Sequence, residues 1–108
     1  MINTANTARS ATADNFGAPS TATWYFIVCT YTAATGVLTI QINGGAANTN
    51  TLPGTARDGV QTFRLGAQNT GLRHWNGRID EVGMWKRVLS AAEKTSLYNG
   101  GAGFPYPF

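Results

Sequence analysis

The carboxylate and imidazole chemistry of this chain rests on few groups: Asp14, Asp58, Asp80, Glu81, Glu93 and the single histidine, His74. Two of the acids have ready structural explanations. Ser90 and Glu93 are spaced as a capping box, in which the serine accepts the Glu93 N–H and the carboxylate returns to the Ser90 N–H. Asp58 precedes Gly59 and reads as a turn residue. A Ser-His-Asp constellation could use only His74, and no serine is placed in a nucleophile turn beside it, so His74 reads as an exposed loop residue. Cys29 is the one cysteine, which excludes an intrachain disulfide and a cysteine-based zinc site. Within the apolar run Trp24–Tyr31 it serves as a small hydrophobe. Aromatic contact offers more than acid–base chemistry does. In Arg73-His74-Trp75-Asn76 an exposed indole could stack on a sugar while Arg73, His74 and Asn76 hydrogen-bond its hydroxyls; the alternative is that Trp75 plugs a core or an edge, as expected for Trp24 and Trp85. At the C-terminal end, Phe104, Tyr106 and Phe108 are candidate anchors onto a neighbouring subunit.

These side chains must be positioned by a strand, a corner and a short helix over Trp75–Gly101. Ala91–Lys94 are good helix formers, Leu97 and Tyr98 give an apolar side, and Asn99-Gly100-Gly101 supplies a left-handed exit. Such a helix, about two to three turns long, does not persist alone in water and must be docked. From Trp75 to Trp85 the apolar alternation changes phase, which a β-bulge near Asp80-Glu81 or a strand buried on both faces would accommodate. Thr23–Thr32 reads as a strand apolar on both faces, hence central in its sheet. A turn at Ala33–Gly36 leads to Val37–Asn43, with Leu38, Ile40 and Ile42 inward, so the two form a hairpin. The stretch to Gly59 reads as loop with a short strand near Ala46, and Gln61–Ala67 as a strand with Phe63 and Leu65 inward. Residues 1–22 read as largely flexible by composition, although Ile2 could start a flat edge strand, with a turn at Asn15–Pro19. The prolines near the C-terminus keep residues 101–108 extended.

The run Gly77-Arg-Ile-Asp-Glu-Val-Gly-Met-Trp-Lys-Arg-Val-Leu-Ser-Ala-Ala-Glu-Lys-Thr-Ser-Leu-Tyr-Asn-Gly100 resembles the closing segment of laminin-G-like, concanavalin A-like lectin/glucanase domains. Thr23–Val28, Val37–Gly44 and Phe63–Gly66 fall in the order that family uses. The resemblance implies an all-β fold, an antiparallel jelly-roll β-sandwich with one short C-terminal helix, as a single domain over residues 1–108. Members normally carry several strands before the Trp-containing one, so this domain is expected to be abbreviated at its N-terminus, its open edge covered by a partner or a second copy. The fold also hosts glucanases that use closely spaced carboxylates on one strand. Here Asp80 and Glu81 are adjacent, and on a regular strand they face opposite sides and cannot flank one glycosidic bond. Calcium is the one cofactor the resemblance leaves open. Asp80 is the candidate, with Asp14 or Asp58 beside it, and the preferred reading is that Asp80 hydrogen-bonds neighbouring backbone.

A chain of 108 residues supports one core. Charged residues make up 12% of the chain, about half the usual share, with Ala, Thr, Asn and Gly in their place. The net charge of +3 reflects few acids rather than a basic tract, and singly spread arginines argue against a nucleic-acid partner. No apolar stretch is long enough for membrane insertion, and the opening residues have neither the basic nor the apolar region of a signal peptide. The expected function is therefore a non-enzymatic recognition module for a glycan or protein at a cell or particle surface. The alternative is a structural or decoration protein of a virion, such as a phage tail or capsid, oligomerising through its open sheet edge.

Overall fold

β-Branched and aromatic residues on either side of a four-residue turn build the centre of this molecule. β1 (Ile27–Thr32) and β2 (Val37–Ile42) pair antiparallel, with Ile27 opposite Ile42 and Thr32 opposite Val37. The turn between them closes by Thr35 and Gly36 N–H groups on the Thr32 carbonyl. Gly36 has a φ of +70°, and a Cβ there would collide with the Leu52 carbonyl, so glycine is required by both conformation and space. β3 (Asn48–Thr51) adds to the far side of β2, giving one sheet in the order β1-β2-β3. The computed structural model describes residues 1–59, 62–67 and 73–104.

Alternation along β2 places Leu38 and Ile42 in the interior, as their spacing predicts. Leu52, just past β3, is only 1% exposed, and Leu89 completes the buried aliphatic set among the described residues. The front of the chain, expected to be largely flexible, is instead fastened to the 53–57 segment. Buried Asn3 is the hub: its Nδ2 donates to the Pro53 carbonyl, and its Oδ1 accepts from the N–H groups of Ala5 and Thr7. Thr4 N–H donates to Thr55 and Arg57 N–H to Ile2, and Met1 and Arg9 are joined at the mouth of the loop. Composition alone misses this, because one buried amide with three bonds replaces many apolar contacts.

The helix, α1 (Ala91–Tyr98), forms as its sequence dictates. Ser90 accepts from Glu93 N–H (3.2 Å) and Glu93 returns to Ser90 N–H (2.8 Å), while Asn99 at φ 47° ends the helix. Arg87 grips both Glu93 oxygens from the preceding segment. Docking comes from Tyr98, whose ring stacks on Phe26 at 5.8 Å and lies over Gly44 at the end of the hairpin.

Several expectations are corrected. The first strand begins at Ile27 rather than Thr23, because Ala22 adopts a φ of 57° and the Phe26 N–H is taken by the Asn43 side chain; Trp24 is 62% exposed rather than a core plug. Among the described residues β1 is an edge strand, not a central one. Phe63 and Leu65 are exposed rather than inward, and Trp75–Trp85 forms no strand. In place of a bulge, Asp80 Oδ1 accepts the Glu81 N–H at 2.9 Å and Glu81 turns left-handed, φ 49°, so the ladder is broken where the apolar phase shifts. The regular elements among the described residues are thus mostly strands, in one open three-stranded sheet, with one short C-terminal helix, and a second sheet is not among them. The radius of gyration, 14.7 Å, exceeds the value of about 13 Å for a compact chain of this length, in keeping with apolar residues left uncovered.

Candidate functional site

Trp75 is held by its backbone and presented by its side chain. An isolated antiparallel bridge joins Ala67 to His74, and Trp75 donates its N–H to the Gly66 carbonyl at 2.6 Å. Gly66 turns here with φ +70°, and the Ile79 Cδ1 sits where a Cβ would fall. Gly77 lies under the indole: a Cβ on it would meet Trp75 Nε1 at 2.8 Å. One part of the ring therefore rests on glycine backbone while the residue is 51% exposed. At that exposure Trp75 is not a core plug. Arg73, His74 and Asn76 are all exposed, and among the described residues no hydrogen bond or ion pair engages their side chains. The arrangement offers an aromatic face with cationic, imidazole and amide groups adjacent in sequence.

The other sequence-derived candidates lie apart from it. Phe104 is exposed, and Tyr106 and Phe108 fall outside the described residues. Asp80 spends one oxygen on the Glu81 N–H, and among the described residues no three His, Cys, Asp or Glu side chains gather. Glu93 is bound up in the helix start. The Arg87 guanidinium, with the Ser90 N–H and hydroxyl, holds its carboxyl down at about 2. At Cys29 partial burial pushes the thiol up, away from thiolate chemistry.

One feature escaped sequence reasoning. An open groove of about 510 Å³ runs between the Ala33–Gly36 turn and residues 51–56, bordered by Tyr31, Thr35, Thr51, Pro53 and Thr55. Its signal was Pro53-Gly54, a turn dipeptide, but nothing local says that this turn faces the hairpin end. No helix among the described residues is long and apolar enough to cross a membrane.

No curated protein and no solved structure matches the chain. The laminin-G-type family model of the concanavalin A-like lectin/glucanases superfamily matches residues 1–93. The match takes in the front of the chain as well as the Gly77–Glu93 part of the motif run, ending inside α1. The chain belongs to the concanavalin A-like lectin/glucanases superfamily.

Proposed function

We propose that this chain is a non-enzymatic recognition module that binds a glycan through Trp75. The observation that carries the reading is the half-exposed indole seated on Gly77, with exposed Arg73, His74 and Asn76 adjacent to it in sequence and, among the described residues, no hydrogen bond or ion pair on their side chains. A sugar ring stacks its C–H face on such an indole, and the neighbouring donors meet its hydroxyls. The family includes lectins and glucanases alike. The scarcity of carboxylates, five in all, favours binding over hydrolysis, since glycoside cleavage needs two of them facing one bond. A surface poor in charge and rich in Thr, Asn and Gly suits an extracellular or virion-surface setting.

Affinity electrophoresis through a panel of polysaccharides tests this. Saturable retardation by at least one polysaccharide, lost in Trp75→Ala and partly kept in Trp75→Phe, is the expected result. Retardation that ignores Trp75→Ala, or none on any polysaccharide, overturns it.

A second reading, a building block of a virion or similar assembly, is favoured by one observation: the open edge of β1 beside exposed apolar side chains. A mass in solution larger than the monomer supports it.

A further inference from the structure

The sequence carries three Asn-Gly steps, Asn43-Gly44, Asn76-Gly77 and Asn99-Gly100. Each sets a side-chain amide before a backbone nitrogen that no Cβ shields, the combination in which that nitrogen can attack the amide carbon. The fold treats the three differently.

Asn43 and Asn99 are held at both backbone and side chain. Asn43 sits left-handed at φ 49°, donates its N–H to the Phe26 carbonyl and accepts the Phe26 N–H on Oδ1, both at 2.8 Å. Asn99 ends α1 at φ 47°, its N–H donating to the Thr95 carbonyl and its Nδ2 to the Gly103 carbonyl at 2.9 Å. The glycines after them, Gly44 and Gly100, are left-handed as well, at φ +69° and +62°. Ring closure at either step breaks the amide's hydrogen bond and undoes a turn or a helix end. Asn76 carries none of these restraints. Neither it nor Gly77 has a positive φ, both are exposed, and among the described residues no hydrogen bond holds the Asn76 amide or the Gly77 N–H.

We propose that Asn76-Gly77 is a self-modifying step whose conversion switches off the Trp75 surface. The Gly77 nitrogen bonds to Asn76 Cγ as the Cγ–Nδ2 bond breaks, and the amide leaves as ammonia, taking the Gly77 proton. Water then opens the cyclic imide. Attack at Cγ gives aspartate, and attack at the backbone carbonyl gives isoaspartate, with the chain running through the former side chain. Both products set a carboxylate next to Trp75 in sequence, between Arg73 and Arg78, where it competes for guanidinium donors that a sugar would use. The isoaspartate also adds one methylene to the main chain just before Gly77, the residue on which the indole rests. The modification stands on the geometry alone, whereas the loss of binding rests on the recognition reading.

Peptide mass mapping during storage at mildly alkaline pH, with affinity electrophoresis of the same samples through the polysaccharide panel, tests it. The peptide holding Asn76 should gain about 1 Da as its amide becomes an acid. It should do so at least about tenfold faster than the peptides holding Asn43 and Asn99, the difference that one or two hydrogen bonds make. In denaturing urea the three rates should converge to within about threefold, because only the fold separates them. Trp75-dependent retardation should fall in proportion to the fraction converted, and freshly prepared Asn76→Asp should already show the loss. Equal rates at the three steps in the folded protein, or conversion led by Asn43 or Asn99, overturns the site. Conversion at Asn76 with retardation undiminished overturns the switch. Fresh protein that no polysaccharide retards overturns the recognition reading and the switch with it, while the masses still decide the site.

Discussion

Residues 26–56 and residues 73–88 draw on the same kinds of side chain and differ in how many of them are covered. In the first region Leu38, Ile42 and Leu52 are buried beneath a three-stranded ladder; in the second Trp75, Ile79, Val82, Met84 and Val88 are exposed. Hydrophobicity does not separate them, but the distance to a partner does. β1 meets β2 across a four-residue turn and β3 follows soon after, so each pairing closes a short loop. Among the described residues the later segment has one isolated bridge, Ala67 to His74, and no ladder. It is also interrupted at Glu81, where the left-handed turn prevents a continuous ladder on either side. A sheet can be specified locally, whereas the layer that should cover it cannot.

The contrast can be broken most forcefully at Leu52. Leu52→Ala should cost about 2–5 kcal/mol of stability in urea unfolding, because the side chain is fully enclosed and its neighbours cannot collapse fully into the gap. Asn3→Ala should cost about 1–3 kcal/mol by leaving the Ala5 and Thr7 N–H groups and the Pro53 carbonyl without their partner. Ser90→Ala, which removes one half of the helix cap, should cost about 1 kcal/mol.

Acid sharpens the same boundary. The Glu93 carboxyl is held below its usual value of 4.5, at about 2, so the folded state gains from its ionised form above the usual value and loses that gain as pH falls toward 2. The melting temperature should fall over that window, and Glu93→Gln should flatten this dependence. The group is exposed, so the effect is modest and shrinks in salt. Smallest of all, Met84→Ala should change stability by no more than about 0.5 kcal/mol, since the side chain is exposed. A loss at Met84 comparable to that at Leu52 would mean that the later segment is covered in solution, and the contrast between the regions would dissolve.

What was legible in the sequence follows the same division. The Ser90–Glu93 box, the Asn99 exit, the Ala33–Gly36 turn and the inward positions Leu38 and Ile42 are set by residues a few places apart, and all were readable. The strand expected over Trp75–Trp85 was not formed, because the local bond from Asp80 to the Glu81 N–H took precedence over apolar alternation. Asn3 was illegible because its partner Pro53 is remote and no periodicity announces a single buried amide. Of the candidate site, the sequence placed Trp75 at a loop junction but could not choose between plug and platform. The half-exposure of the indole over Gly77 is set by backbone around it that no local pattern announces.

The amide of Asn3 also carries a chemical clock. Hydrolytic loss of ammonia would turn its donor nitrogen into a second oxygen, aimed at the Pro53 carbonyl, so attraction becomes repulsion at a buried point. Aged or alkali-stored protein should thus fray first where the opening loop meets residues 53–57, with a mass gain at Asn3 preceding any loss of the hairpin.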